Sequence, residues 1–557
     1  CVDCIEIQMS INLIQFNFIT EYFLGILLIY SLIVCIVLVY NIYGLVIHRA
    51  LSESLAFSFL LMCYFLINDS LMTSLNQYFL LDCLALYSKL VICLFSSFFF
   101  ILISDLVRHL KFSFEFVILF SFAILGLVFL SSSNELLLIF LSIELVSLSS
   151  YILAGFQKSS VYSIEAGIKY LMVGAVSSGL FLLGSSFLYC CTGSMVLTDF
   201  FILTTDLSYL IYETNLPILP VNLDCFKFDS LAGGTMGYDS PLIECLSNRQ
   251  DYLAEFVLNH PNKLYKQDLM ELGLLLIILS IFIKLALAPF HLWSLDVYEG
   301  APTISTFFFA TLSKISFFVV LIRICLGLEV LNHMISFYSI SIGLFSVFIG
   351  SFGNLRQKKL KTILAYSSIS HTGYMLLAFS TVSSFGLEML YFYLFVYMLS
   401  NIVIWFVVLN LHKVTKNYHT KISKDLGDLV LLNKTNSGLA LGLTIVFFSV
   451  AGIPPFIGFL AKFNIFLSLL VVEYYTVGLV AIVCSGIATF YYIRLIKILY
   501  FENVIVGNLY FPINSDKSIL FSICVFSLIL IFLNPNILYL VIHKISLLDN
   551  IVIGPSW

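Results

Sequence analysis

Two lysines lie inside apolar runs, where a charge is costly. Lys284 lies in the run LMELGLLLIILSIFIKLALAPF and Lys462 in the run AGIPPFIGFLAKF. Pro289 follows the first lysine, and Pro454 and Pro455 precede the second. Each proline removes a helical hydrogen bond and frees a carbonyl of the preceding turn. A charge beside freed carbonyls is tolerated where a helix lines a hydrated cavity, and such cavities are typical of ion and proton transport.

Three more titratable residues occupy the middle of apolar runs. They are Glu144 in ELLLIFLSIELVSLSSYILAGF, Lys314 in TLSKISFFVVLI and His371 in AYSSISHTGYMLLAF. A charge at the centre of a span costs about 2.5–3.5 kcal/mol, so these groups must lose their charge or find partners. One interpretation is a set of static ion pairs between helices. The other is a proton relay, which the helix breaks favour because static pairs need no hydration.

Several nearby residues are candidates for supporting roles. Glu165 and Lys169 are spaced i,i+4 with the acid first, the favoured helical orientation, and are close enough in sequence to tune the central acid. His291 follows the first break directly and is a candidate residue of the same path. Arg323 lies near the end of its span, where we expect its guanidinium to reach the membrane surface.

Composition places the chain in the membrane. Of 557 residues, 61% are hydrophobic and 11% are charged, whereas soluble domains are about 25% charged. The net charge of −5 gives no indication of nucleic-acid binding. The 13 cysteines are scattered, and Cys1 and Cys4 form a lone C-x-x-C that does not predict a metal site.

The hydropathy pattern predicts an all-α polytopic protein of about 14 transmembrane helices. The predicted spans are 20–47, 54–70, 79–104, 115–131, 135–156, 163–191, 268–287, 302–326, 332–353, 359–380, 386–412, 438–472, 475–501 and 517–543. A three-helix segment (1–114) precedes two five-helix repeats (115–326 and 327–501), and a C-terminal helix follows (502–557). Because five is odd, the repeats are inverted, and each contains one broken helix.

Loop charges predict the orientation. Lys and Arg concentrate in the loops of one side, so that side faces the matrix or cytoplasm and both termini face outward. The segment 192–267 breaks the pattern, with nine Asp or Glu and four Lys or Arg, and is predicted to be one outer-side insertion. It is either a tolerated insertion or a docking surface for accessory subunits.

The motifs together resemble a known family. LLLIFLSIELVSLSSYILAGF, SIEAGIKYLMVG, IKLALAPFHLWSLDVYEGAPT, KTILAYSSISHTGYMLLA and AGIPPFIGFLAKF look like the antiporter-like membrane subunits of respiratory complex I. EAGIKY and VYEGAP favour the NADH dehydrogenase subunit 2 branch, called subunit N in bacteria. The resemblance covers about 115–500. The abundance of Phe, Tyr, Ile and Leu is typical of an AT-rich genome, which fits mitochondrial coding.

The resemblance implies roles for the central residues. Residues matching Glu144 and Lys284 form an input pair, those matching Lys314 and His371 lie on the central hydrophilic axis, and the one matching Lys462 serves the exit. It also implies that NADH, FMN, iron–sulfur clusters and ubiquinone belong to partner subunits, with structural lipids as the cofactors expected here. The implied partners are other membrane-arm subunits, including the subunit 4 paralogue and the small membrane subunits.

We therefore expect a proton-translocating subunit of complex I in the mitochondrial inner membrane, with both termini and the insertion facing the intermembrane space. Two alternatives stay open. One is a subunit of a stand-alone cation/proton antiporter, which shares the motifs. The other is a spacer of the membrane arm that has lost pumping, against which the retained central charges argue.

Overall fold

The computed structural model describes most of the chain. The described residues are 47–68, 78–80, 82–109, 114–200, 261–327, 332–410, 412–414, 420–422, 426–430, 432–502 and 515–553. The span predicted at 20–47 lies outside them except for its last residue, as do Cys1, Cys4 and most of the predicted insertion.

The described part of the chain is almost entirely α-helical, because backbone polar groups in lipid must be satisfied within the segment. The helices are α1 Ile47–Asn68, α2 Cys83–His109, α3 Phe114–Ser132, α4 Leu136–Ala154, α5 Val161–Thr192, α6 Pro261–Lys284, α7 Leu292–Gly300, α8 Thr303–Ala310, α9 Leu312–Gly327, α10 Asn332–Gly353, α11 Leu360–Phe379, α12 Ser384–Asn410, α13 Leu432–Thr435, α14 Ser437–Ala451, α15 Ile457–Val471, α16 Tyr475–Tyr500, α17 Ser515–Leu533 and α18 Asn536–Ile553. A short antiparallel hairpin, β1 His412–Val414 with β2 Thr420–Ile422, and a 3₁₀ turn at Leu426–Leu429 follow α12.

Thirteen of the predicted spans each coincide with one of these helices or with a broken pair. Among the described residues, eight helices are long and apolar enough to cross a membrane, and α17 with α18 would make a ninth if the bent pair is one span. The polytopic helical fold is therefore confirmed.

Two sets of helices pack in the same way. In the first set α3 contacts α4, α4 contacts α5, α5 contacts α6, and α3 also contacts α9. In the second set α10 contacts α11, α11 contacts α12, α12 contacts α15, and α10 also contacts α16. Each set is thus a ring of five spans, which agrees with two five-helix repeats. The domain boundaries at 115, 327 and 502 stay a prediction.

Both predicted helix breaks are present. Helix α6 ends at Lys284 itself, and Pro289 lies in the turn before α7. Pro454 and Pro455 lie between the end of α14 and the start of α15. At the first break the indole Nε1 of Trp293 donates to the carbonyl of Ile283 across 3.1 Å, and that carbonyl also accepts from the backbone N–H of Ala286.

A third break was not predicted. Helices α8 and α9 form one apolar span that is interrupted at Thr311, whose φ and ψ are −112° and −85°. No proline lies in this stretch, so the sequence carries no local signal for it. The break leaves the carbonyl of Ala310 without its usual helical donor, and Tyr397 supplies one.

Two predicted boundaries are wrong. The span 517–543 ends as a straight helix at Leu533, and α18 turns away from α17 by 86° after Asn534 and Pro535, because proline cannot continue a helix. At the other site, α6 begins at Pro261, so residues 261–267 are helical and do not belong to the predicted loop insertion.

The prediction for Arg323 is also wrong. Its side chain is buried, not extended to the membrane surface. Its Nη2 pairs with Oδ1 of Asp82 at 2.6 Å, and its Nη1 donates to the carbonyl of Ser133 at 2.9 Å. The pair ties α9 to the segment before α2, because Asp82 provides a counter-charge that the local sequence around Arg323 does not show.

Candidate functional site

The first predicted pair, Glu144 and Lys284, is not in direct contact. Glu144 is half-buried on α4, its Oε2 accepts a hydrogen bond from the Ser147 hydroxyl (3.2 Å), and its Oε1 has no hydrogen-bond partner among the described residues. The Nζ of Lys284 donates to the hydroxyl of Tyr151 at 3.2 Å. Tyr151 lies two turns after Glu144 on the same helix. Ser147 and Tyr151 therefore stand between the acid and the base.

Helix α5 fixes the position of Tyr151. A Cβ placed on Gly174 would lie 1.6 Å from the Tyr151 hydroxyl oxygen, so only glycine permits this approach. The ring of Tyr170 packs edge-on against Tyr151, with 4.9 Å between ring centres. The hydroxyl that meets Lys284 is thus held by backbone on one side and by an aromatic ring on the other.

Lys284 and Lys314 line the same small cavity. It has about 20 Å³ of room for water centres and is also lined by Ser147, Ser150 and Tyr298. A polar cavity needs about 10–15 Å³ to hold one water. One water bonded to these groups would connect the first lysine with the second.

Lys314 lies three residues after the break at Thr311 and is 4% exposed. Its Nζ donates to the hydroxyl of Tyr397 at 2.7 Å and to the carbonyl of Ser368 at 3.2 Å. The Tyr397 hydroxyl in turn donates to the carbonyl of Ala310 at 3.0 Å. One tyrosine therefore holds both the lysine and the broken helix end.

His371 lies in the middle of α11 and is 6% exposed. Its Nδ1 is 2.6 Å from the hydroxyl of Tyr393 on α12, and its Nε2 is 3.2 Å from the hydroxyl of Tyr492 on α16. The serines that surround it in sequence bond to carbonyls of their own helix instead. The ring is therefore engaged on both nitrogens by other helices.

Lys462 lies on α15 and is 5% exposed. Its Nζ donates to the carbonyl of Ala451, the last residue of α14, at 2.9 Å. It also lies 5.6 Å from the centre of the Tyr374 ring. Glycine at position 452 leaves room for this side chain, because a Cβ there would lie 2.9 Å from Cδ of Lys462. The lysine thus satisfies a carbonyl that the second break frees.

Lys284, which is half-buried, and the buried Lys314 and Lys462 share one property. Within the described residues, none of Lys284, Lys314 and Lys462 forms an ion pair, and each donates to a neutral hydroxyl or carbonyl oxygen. Static pairing of buried charges would require carboxylates at these positions, since an unpaired buried charge is costly. The arrangement does not fit the ion-pair interpretation of the sequence.

The pair Glu165 and Lys169 forms as predicted, at 2.7 Å. Lys169 also contacts Asp296 of α7 at 2.7 Å, a partner that the sequence analysis missed. All three side chains are more than 40% exposed, so the pairs contribute little to stability. They connect α5 to α7, and their ion-pair contacts do not include Glu144.

His291 lies at the start of α7 and is buried. Its carbonyl accepts a hydrogen bond from the Ser294 hydroxyl at 2.7 Å. Its ring Nδ1 has no hydrogen-bond partner among the described residues. The structure therefore does not join the His291 ring to either Lys284 or Lys314 by a hydrogen bond.

The sequence analysis missed the residues that hold the titratable groups. Among them are four tyrosines: Tyr151, Tyr393, Tyr397 and Tyr492. Only Tyr393 and Tyr397 carried a signal, because their i,i+4 spacing puts two hydroxyls on one face of an apolar helix. Tyr151 is a single tyrosine in an apolar run and Tyr492 is one of two adjacent tyrosines, so both look like ordinary core residues.

A known protein family matches most of the part of the chain that contains these residues. The model of the NADH:quinone oxidoreductase/Mrp antiporter transmembrane family matches residues 133–217 and 246–489. The unmatched stretch between them, 218–245, lies inside the predicted insertion 192–267. The departure from the family is therefore shorter than the sequence analysis proposed.

Individual relatives agree. The chain is 34% identical to NADH-ubiquinone oxidoreductase chain 2 of Marchantia polymorpha over 78% of this chain and 77% of the relative. It is also 34% identical to NADH-quinone oxidoreductase subunit N of a Wolbachia strain, over 77% of this chain and 78% of the relative. Two solved structures share the fold. A chain of Thermus thermophilus respiratory complex I has a TM-score of 0.69 and 24% identity, and the match covers 93% of this chain and 98% of that one. A chain of the Dietzia Mrp complex has a TM-score of 0.71 and 16% identity, and the match covers 96% of this chain and 97% of that one. The chain thus belongs to the NADH:quinone oxidoreductase/Mrp antiporter transmembrane family, as an antiporter-like subunit of the chain 2/subunit N type.

Proposed function

We propose that the chain moves protons across the membrane as a membrane-arm subunit of respiratory complex I, driven by NADH:ubiquinone oxidoreduction in partner subunits. The observation that carries this proposal is the placement of Lys314, His371 and Lys462. All three are buried and are held by neutral groups from other helices or helix ends. Buried ionisable groups of this kind mark proton pathways in membrane proteins.

The geometry supports an order of transfer. Ser147, which bonds to Glu144, and Tyr151, which bonds to Lys284, lie between the acid and the base. The shared cavity then links Lys284 with Lys314. None of Lys284, Lys314 and Lys462 has a carboxylate partner among the described residues, so no ion pair has to break before a proton leaves.

Substitutions test the proposal in the assembled complex. Lys284→Met and Lys462→Met remove a titratable group from each broken helix, and Glu144→Gln is nearly isosteric. We expect each to lower the protons pumped per NADH oxidised in sealed vesicles while the complex still assembles. Lys434→Met, at an exposed lysine on α13, is the matched control and should pump normally. Normal pumping in all three test variants would refute the proposal.

A stand-alone cation/proton antiporter is the second candidate, because a chain of an Mrp complex shares the fold. The two candidates differ in the partners they require. We expect mass spectrometry of the purified complex to detect NADH-oxidising and iron–sulfur subunits with this chain. A stable complex that contains only antiporter subunits would favour the second candidate.

We further propose that the chain resides in the mitochondrial inner membrane and carries no redox group itself. Plant relatives named NADH-ubiquinone oxidoreductase chain 2 support the location. NADH, FMN, iron–sulfur clusters and ubiquinone would then be bound by partner subunits. Structural lipids at this subunit stay a prediction, as do contacts with the subunit 4 paralogue and the small membrane subunits.

The insertion carries a separate proposal, that it faces the intermembrane space and docks an accessory subunit. The bias of Lys and Arg toward the loops of the opposite side supports that orientation. Protease added to the outer face of intact inner membranes should cleave the insertion slowly in the complex and rapidly after partners are stripped. Cleavage that requires access from the matrix side would overturn the orientation, and rapid cleavage in the intact complex would overturn docking.

A further inference from the structure

His371 is bracketed by two tyrosine hydroxyls that come from different helices. Tyr393 of α12 lies 2.6 Å from Nδ1, and Tyr492 of α16 lies 3.2 Å from Nε2. All three side chains are buried. No carboxylate contacts the ring within the described residues. The result is a chain of three hydrogen-bonding side chains that crosses from α12 through α11 to α16.

The chemistry of imidazole gives this hydrogen-bonded chain a donor-to-acceptor direction that can reverse. A neutral imidazole has one N–H and one lone pair, so His371 must accept from one tyrosine and donate to the other. The two tautomers differ in which tyrosine donates, and both make two hydrogen bonds. Reversing the polarity of the chain therefore costs no hydrogen bond, whereas a histidine held by a carboxylate would favour one tautomer.

We propose that Tyr393 and Tyr492 carry protons to and from His371 directly, which deepens the proposed function and rests on it. In one transfer, the hydroxyl proton of Tyr393 moves to Nδ1 and the Nε2 proton moves to the Tyr492 oxygen. Tyr492 gives its own hydroxyl proton to a water molecule, and a protonated water on the other side gives a proton to Tyr393. Each group gives one proton and receives one, so the charge of the chain is unchanged after the transfer.

Aromatic rings flank both ends of this three-residue chain. On one side the Tyr393 ring lies 6.4 Å from the ring of Tyr374, which packs beneath Lys462. On the other side Tyr492 lies against Tyr491, with 4.3 Å between ring centres. The hydroxyl of Tyr374 donates to the carbonyl of Ala481 at 3.3 Å, so Tyr374 packs beside the three-residue chain and does not extend it toward Lys462.

Tyr397 has a different role. It lies one turn after Tyr393 and accepts a hydrogen bond from Lys314, but its own hydroxyl proton is donated to the carbonyl of Ala310. A backbone carbonyl does not take up a proton, so this contact cannot pass one on. We assign Tyr397 as a positioning residue that fixes Lys314 beside the break at Thr311.

The test removes single hydroxyls in the assembled complex. In Tyr393→Phe and Tyr492→Phe the rings remain, and we expect the protons pumped per NADH oxidised to fall, with transfer through this step slowed roughly tenfold or more. The solvent deuterium isotope effect on coupled NADH oxidation should change as well, which a merely structural defect would not cause. Tyr539→Phe is the matched control, because it removes a hydroxyl that accepts from Asn464 at 2.5 Å outside the proposed chain.

The outcomes separate this proposal from the function on which it rests. If both phenylalanine variants pump normally while Lys462→Met does not, the tyrosine chain is refuted and the proposed function stands. If Lys284→Met, Lys462→Met and Glu144→Gln all pump normally as well, the proposed function itself fails. Should either phenylalanine variant fail to assemble, 3-fluorotyrosine incorporated into the unaltered chain keeps every contact; an unchanged isotope effect would then refute the proposal.

Discussion

The turn between α14 and α15 offers the sharpest test of how the second helix break positions a lysine. Gly452 has a φ of +83°, and its N–H donates to the carbonyls of Phe448 (3.1 Å) and Ser449 (2.9 Å). A Cβ at this position would lie 2.9 Å from Cδ and 3.3 Å from Nζ of Lys462. Gly452→Ala therefore strains the backbone and pushes on the lysine at the same time.

The size of the effect follows from two contributions. A left-handed conformation costs a non-glycine residue about 1–2 kcal/mol. If Lys462 moves away, its hydrogen bond to the Ala451 carbonyl is lost, and a bond from a charged donor contributes about 1.5–3 kcal/mol. We expect Gly452→Ala to cost roughly 2.5–5 kcal/mol in all and to lower proton pumping at a given amount of assembled complex.

The measurement combines the thermal unfolding midpoint of the purified complex with NADH-driven proton uptake into vesicles. Gly486→Ala on α16 is the matched control, because a Cβ there meets nothing within 4 Å. In a Lys462→Met background, Gly452→Ala should cost only the backbone contribution. An equal cost of Gly452→Ala with and without Lys462, or normal pumping by the single variant, would refute the reasoning.

Two further predictions concern the first half of the molecule. Arg323→Met leaves Asp82 without its ion-pair partner at 2.6 Å, and breaking a buried pair in this way costs about 3–5 kcal/mol. We expect a smaller amount of assembled complex on native gels. An amount equal to that of the wild type would argue against a structural role for the pair. Gly174→Ala places a Cβ 1.6 Å from the Tyr151 hydroxyl oxygen and must displace it, so proton pumping per assembled complex should fall. Gly179→Ala on the same helix meets no atom within 4 Å and serves as its control.

The sequence alone determined the class of the protein and the residues that can do chemistry. With 61% hydrophobic residues, the chain cannot remain in water, and spans follow from the length of apolar runs. Charges at Glu144, Lys284 and Lys462 stand out because each is costly in its own run. Prolines beside two of them located two breaks, since the loss of a helical hydrogen bond is a local property.

Tertiary structure alone decided what each of these groups contacts. Tyr393 and Tyr492 reach His371 from 22 and 121 residues away, and Asp82 reaches Arg323 across 241 residues. The break at Thr311 occurs without a proline. Hydropathy and spacing describe one helix at a time, whereas these contacts depend on which face each helix turns to its neighbours. The helix faces are set by packing of the whole bundle, and so a pattern in one segment cannot specify them.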